Sequence, residues 1–166
     1  MFMRRRFTAF LIDYMIIVGY GVVLGLLSPL LSPLFTDNAF TAHLSSFFIL
    51  TLPVYLYFSI FEASPFQATL GKRAAKLRVA GSVNTGVSLS RSLVRSMIKF
   101  LPWEMAHFAV WRFFLPTDLP ELVIIMIAYA ANGAALIYLI VPFLNHDRRF
   151  IHDWASGTRV AVKERN

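Results

Sequence analysis

Four long apolar runs, separated by polar, basic or proline-bearing stretches, organise this chain. Residues 7–27 hold 21 positions without a lysine or arginine, long enough for a helix across a hydrocarbon core of ~30 Å at roughly 1.5 Å of rise per residue. Ser28-Pro29 and Ser32-Pro33 end the run, because proline lacks the N–H that a continuing helix needs. A second run covers 44–61, with Pro53 predicted to kink it. A third, 97–115, is the least apolar and contains Pro102, Glu104, His107 and Arg112. The fourth, 122–144, is the cleanest and has Asn132 near its centre. The pattern predicts one all-α integral membrane domain over residues 1–166, a four-transmembrane-helix bundle.

Between the second and third runs, residues 62–96 predict a loop of short interfacial helices. Ser64-Pro65 reads as an N-cap followed by proline at the first helical position, opening a helix over 66–75. Residues 77–79 and 87–89 flank the segment 81–86 and predict a small hairpin. Ser90 is the expected cap of a further helix in which Arg91, Arg95 and Lys99 recur every four residues opposite Leu93, Val94, Met97 and Ile98. That arrangement is amphipathic and turns its basic stripe toward lipid headgroups.

Charge placement adds an orientation. Of 16 basic residues, Arg4, Arg5 and Arg6 precede the first run. Lys72, Arg73, Lys76, Arg78, Arg91, Arg95 and Lys99 lie between the second run and the start of the third, and Arg148, Arg149, Arg159, Lys163 and Arg165 follow the fourth. Only Arg112 falls elsewhere, while the two short connections carry Asp37 and then Asp118 and Glu121. By the positive-inside rule both termini, the loop 62–96 and the tail 145–166 are cytoplasmic, which requires an even number of spans and so includes 97–115. The first run is too long for a cleaved signal peptide, carries Asp13, and has no A-x-A-like site after it.

Composition agrees with a membrane setting: 57% of residues are apolar and only 15% charged, against about a quarter charged in soluble chains. The formal charge of +7 follows the topology rather than a nucleic-acid surface, so no nucleic acid is expected. With no cysteine there is no disulfide, thiol nucleophile or thiolate metal site. No nucleophile elbow, Walker A pattern, zincin motif or dinucleotide fingerprint is present, so neither an enzyme nor a cofactor is expected.

Polar residues inside the runs are the candidates for chemistry. Asp13 is foremost, since a carboxylate in hydrocarbon costs at least ~2.5 kcal/mol unless it faces protein or water. Arg6 lies two helical turns earlier on the same face and is expected to pair with it. Depth along the spans predicts that Asp13, Glu104, His107 and Asn132 meet in one inner-half cavity; the alternative is that each holds neighbouring helices together. Glu104 and His107, three apart, share a helix face. The pair fits proton handling or a structural salt bridge, whereas a metal site would need the motif twice with further carboxylates. After the fourth run, Arg149 and Asp153 are spaced to pair on one turn beside His152, as a plug against the basic loop or as a charge network at the cavity mouth.

Three segments together resemble the RDD family of bacterial membrane proteins. The first is Arg6-Phe7-Thr8-Ala9-Phe10-Leu11-Ile12-Asp13. The second is Glu62 with Thr69-Leu70-Gly71-Lys72-Arg73, followed by Arg91 and Arg95. The third is Arg149-Phe150-Ile151-His152-Asp153-Trp154-Ala155-Ser156-Gly157-Thr158, with Ser156 where the family usually has alanine. The resemblance implies that Arg6, Asp13 and Asp153 are the namesake residues and that the protein sits in the bacterial inner membrane. Transport is the role usually suggested, and some members are described as sodium–proton antiporters. The expectation is therefore a small transporter, proton- or cation-coupled, with Asp13 as its buried ionisable centre. It would work as a homo-oligomer in a bilayer with anionic headgroups, the latter met by Lys72, Arg73, Arg91, Arg95 and Lys99, and would take a cation or small-molecule ligand. The rival is a non-transporting accessory or scaffold that binds a partner complex or anionic lipid.

Overall fold

The computed structural model describes residues 2–35, 38–81 and 86–163. Asp37, residues 82–85 and Arg165 lie outside the described residues. Helix α1 spans Phe2–Leu26, followed by a short α2, Ser28–Leu31, and a 3-10 turn at Ser32–Phe35. Asn38 then caps α3, Ala39–Ser46, its side chain accepting the N–H groups of Phe40 and Thr41 at 3.0 Å each. The helix passes through a π segment at Phe47–Thr51 into α4, Leu52–Ala63. Short α5, Leu70–Ala74, leads to β1, Leu77–Gly81. Two long helices follow, α6 at Leu89–Phe114 and α7 at Glu121–Leu144, then α8, Ile151–Ala155, and β2, Thr158–Val162.

Among the described residues three helices are long and apolar enough to cross a membrane: Phe2–Leu26, Ala39–Ala63 and Glu121–Leu144. Helix α6 has 26 residues, so its length suffices, but Arg91, Arg95, Lys99, Glu104, His107 and Arg112 keep it more polar than the others.

Two tyrosines serve the carbonyls that two of the helix prolines leave free. Pro53 and Pro102 have no N–H to offer the carbonyls four residues earlier, those of Ile49 and Ile98. Tyr20 Oη donates to the Ile49 carbonyl at 2.5 Å, and Tyr138 Oη to the Ile98 carbonyl at 2.6 Å. Each proline thereby becomes a joint, tying α1 to the α3–α4 helix and α7 to α6. The predicted disturbance near Pro53 takes the form of the π segment just before it.

The fold is not all-α. Strand β1 pairs antiparallel with β2, Val79 opposite Val160 and Gly81 opposite Thr158. The expected hairpin between 77–79 and 87–89 is therefore wrong: the partner strand comes from the C-terminal tail. Leu77 and Val160 bury their side chains with Ala9 and Ala75 in a small core that Phe2 adjoins, which a local hairpin would not create. The helix expected over 66–75 is shorter, and its cap is Thr69, whose hydroxyl accepts Lys72 N–H at 3.3 Å. Ser64 instead closes α4 by donating to the Phe61 carbonyl. Likewise Ser88, not Ser90, caps α6.

Candidate functional site

Asp13 is 4% exposed and has three neutral donors. Its Oδ1 accepts from Tyr57 Oη at 2.8 Å and Gly71 N at 2.9 Å, and its Oδ2 from Thr69 Oγ1 at 2.6 Å. Tyr57 Oη in turn accepts Leu70 N–H at 3.1 Å. The carboxylate thus fastens the start of α5 to α1. Gly71 permits the approach, because a Cβ there would stand 2.2 Å from the Ala9 carbonyl oxygen.

Arg6 does not complete this node. Its guanidinium donates to the Arg148 carbonyl and lies over the rings of Phe2 and Phe150, at 4.5 and 5.6 Å from their centroids. Among the described residues no Lys or Arg forms an ion pair with Asp13. Arg6 ties the start of α1 to the segment after α7, and the expected Arg6–Asp13 pair is not formed.

A second node is ionic. Arg95 Nε donates to Glu62 Oε2 at 2.8 Å, while Arg95 Nη1 donates to Asp153 Oδ1 and, at 2.7 Å, to Thr158 Oγ1. Lys72 Nζ reaches the other Glu62 oxygen at 2.7 Å, and Asp153 Oδ2 accepts Phe150 N–H at 3.0 Å. The Arg95, Glu62 and Asp153 side chains are at most 2% exposed. Burying such charges repays its desolvation cost only when partners and hydrogen bonds are complete, as for both carboxylates here. One node thus joins α4, α5, α6, α8 and β2.

His152 lies against this node, buried and stacked on Phe150 with ring centroids 5.1 Å apart. Burial, then the charges of Arg95, Lys99, Lys72 and Arg6, push its pKa well below the ordinary 6.5. The ring is held neutral. Lys99, one turn above Arg95, sets its ammonium 3.1 Å from the Phe58 ring centroid and 5.0 Å from that of Phe100.

The third node lies further along α6. His43 Nε2 and Glu104 Oε1 are 2.8 Å apart, joining α3 to α6. Glu104 Oε2 is buried and has no hydrogen-bond partner among the described residues, although Thr51 of the π segment faces it. The pair edges a recess of about 300 Å³ whose remaining walls are Leu101, Met105, Phe108 and Ile127. Trp111 Nε1, two turns further along α6, donates to Ser46 Oγ at 2.9 Å.

The remaining expectations fare unevenly. Asp13, Glu104, His107 and Asn132 do not share a cavity. His107 Nδ1 lies 3.0 Å from the Trp103 carbonyl and its ring packs on Trp103, so Glu104 pairs with His43 instead. Asn132 is exposed and donates to its own helix at Ala128. Arg149 does not pair with Asp153: its Nε lies 3.9 Å from Asp147, and its N–H bonds Asn145 Oδ1. Of the basic stripe expected to face headgroups, Arg95 is buried and Lys72 is paired with Glu62, while Arg91 and Arg73 are exposed, the latter with its guanidinium over Phe66.

Sequence reasoning missed His43, Tyr57, Thr158 and the buried hydroxyls of α4 and α6. Glu62 was within reach, since a carboxylate at the end of an apolar run invites the argument applied to Asp13. Among the described residues no group of His, Asp and Glu side chains has the arrangement of a metal site.

The RDD family matches residues 2–157, nearly the whole chain. The chain belongs to the RDD family, whose members are membrane proteins. No curated protein and no solved structure matches it.

Proposed function

We propose that this chain is a small transporter of the bacterial inner membrane, coupled to protons or a small cation, with His43 and Glu104 as its proton-handling pair. The observation that carries this reading is the His43–Glu104 pair itself, a carboxylate 2.8 Å from a histidine on a helix packed inside an apolar bundle and at the edge of a recess. A histidine hydrogen-bonded to a carboxylate can hand it a proton and take it back. Asp13 and Asp153, the buried aspartates, have both oxygens engaged, which suits fasteners better than carriers.

In this reading α6 is the fourth span, both termini are cytoplasmic, and the β1–β2 sheet with the ionic node closes the cytoplasmic end. The Lys/Arg partition supports that orientation. So does the meeting of the loop and the tail in one sheet. Four helices leave little room for an enclosed pathway in one protomer, which favours a homo-oligomer. Exposed Arg73 and Arg91 are available to anionic headgroups. No catalytic role, cofactor or nucleic-acid partner enters this account.

The second reading, a non-transporting accessory or scaffold, draws on the same saturated nodes, which make the namesake residues structural. Purified protein in liposomes carrying a pH-sensitive dye separates the two. Transport requires a cation-dependent pH change that Glu104→Gln abolishes. A scaffold gives no such change with any cation and retains a stoichiometric partner through purification.

A further inference from the structure

The recess beside His43 and Glu104 has a lining that narrows what it can hold. Its volume of about 300 Å³ lies at the small end of ligand cavities. Glu104 and His43 are its polar edge, and Leu101, Met105, Phe108 and Ile127 form the rest of its wall. Ile127 belongs to α7, so α3, α6 and α7 all contribute. Leu101 is exposed, as are Met97 one turn before it and Met126 beside Ile127, so the recess opens sideways onto the apolar surface of the bundle. By helical rise His43 stands ~6 Å from the start of α3 and Ile127 ~9 Å from the start of α7. The recess therefore lies toward the end of the bundle opposite the ionic node, where Ala39 N–H bonds the Pro116 carbonyl.

That lining serves a metal ion poorly. A hard cation takes about six oxygen ligands. The recess offers only the Glu104 carboxylate, one oxygen of which already meets His43, and the Thr51 hydroxyl that faces it. An inorganic ion would have to bring its water shell against four apolar side chains, or shed that water without replacement. Room for about ten waters at ~30 Å³ each would also leave a bare ion with most of the space empty. A cation whose charge is wrapped in hydrocarbon has the opposite needs. Its substituents pack on Leu101, Met105, Phe108 and Ile127, and its single diffuse charge asks for one carboxylate nearby rather than a cage of oxygens.

Resting on the transport reading above, we propose that the recess binds a hydrophobic monovalent organic cation, of the quaternary ammonium class, and that its binding expels the proton held by His43 and Glu104. With the proton in place, the histidinium Nε2–H neutralises the carboxylate. When the organic cation enters, that N–H bond breaks, the proton passes to water at the mouth of the recess, and the cation takes over the neutralisation. One positive charge enters and one leaves, and the reverse exchange restores the pair. Groups facing Glu104 are His43 from α3, Thr51 from the π segment and His107 on its own helix. Helix α7 contributes only Ile127 to the lining, and Arg112, two turns on, keeps its guanidinium over the Phe108 ring.

Calorimetric titration of the full chain in nanodiscs of zwitterionic lipid with benzyltrimethylammonium tests the site, run in two buffers of different protonation enthalpy. The probe is expected to bind with release of about one proton per cation, and more weakly as the pH falls. Its neutral carbon isostere, neopentylbenzene, is expected to release none, and excess sodium is expected not to displace the probe. Glu104→Gln should abolish the proton release. Ile127→Trp fills the recess from α7 and leaves both ionisable groups in place, so it should weaken binding about tenfold or more, as overpacking does. Leu139→Trp, on an exposed part of α7, should bind as wild type does. No binding by the wild type, equal binding by Ile127→Trp and Leu139→Trp, or displacement by sodium overturns the proposal. Proteoliposomes separate it from the reading beneath it. Proton flux driven by a sodium gradient but not by the probe overturns the proposal and leaves transport standing. Probe binding that Ile127→Trp weakens, with no flux of any cation, upholds the site and overturns the transport reading.

Discussion

Gly71 N–H donates to Asp13 Oδ1 at 2.9 Å, across 58 residues of sequence, and the contact requires that residue 71 have no side chain. An added Cβ would lie 2.8 Å from the Asp13 carboxylate and 2.2 Å from a backbone oxygen that cannot swing aside. Gly71→Ala is therefore expected to destabilise the protein by about 1–3 kcal/mol, as overpacking does. The drop in thermal midpoint in detergent measures it. A midpoint equal to wild type would mean that α5 does not dock on α1 as described.

Arg6 and Asp13 share a helix face but no partner. Arg6 holds the Arg148 carbonyl, and Asp13 holds α5 and Tyr57. Losses from Arg6→Ala and Asp13→Asn should accordingly add to within ~0.5 kcal/mol in a double-mutant cycle. A double variant no less stable than either single one would restore the direct pair expected from their spacing.

Among the described residues Arg95 is the only cation bonded to Asp153, and it shares Glu62 with Lys72. Arg95→Met leaves Asp153 buried without a counter-charge, a change that costs about 3–5 kcal/mol. Because α8 and β2 hang on this contact, limited proteolysis should cut the tail after residue 145 in the variant long before the helices unfold. An equally resistant tail would show that the sheet alone holds it.

His152 gives the tail a pH dependence. Burial and the neighbouring cations hold the docked ring neutral, with its pKa well below 6.5. An undocked tail takes up a proton near the ordinary value, so low pH favours undocking. The stabilising effect of docking is complete above about pH 6.5 and is lost as the pH falls below it. Thermal midpoints should decline over that range in the wild type and stay flatter in His152→Phe. Parallel declines would assign the effect to another group.

The sequence made the apolar helices legible, because α1 and α7 each declare themselves within a single uninterrupted run. It hid everything that depends on distant partners. Residues 158–162 are short and unremarkable in pattern, and their strand partner lies about eighty residues earlier, so the nearer segment 87–89 was the natural but wrong choice. The four-residue spacing of Arg91, Arg95 and Lys99 correctly places them on one helix face. Spacing cannot reveal that Glu62 and Asp153, 33 and 58 residues away, turn Arg95 inward. Glu104 and His107 also share a face as expected, yet His107 leans on Trp103 and leaves the carboxylate to His43. A lone histidine at the start of a span gives no sequence signal of that pairing.

Ion handling by Glu104 and fastening by Asp13 are separated by one comparison in proteoliposomes. Proton flux is measured for Glu104→Gln and Asp13→Asn, normalised to folded protein and set beside each variant's thermal midpoint. Glu104→Gln is expected to keep a midpoint near wild type while its flux falls to that of empty liposomes. Asp13→Asn is expected to lower the midpoint and keep flux per folded molecule. Full flux from Glu104→Gln, with flux lost in a stably folded Asp13→Asn, would contradict the account and return the ionisable centre to Asp13.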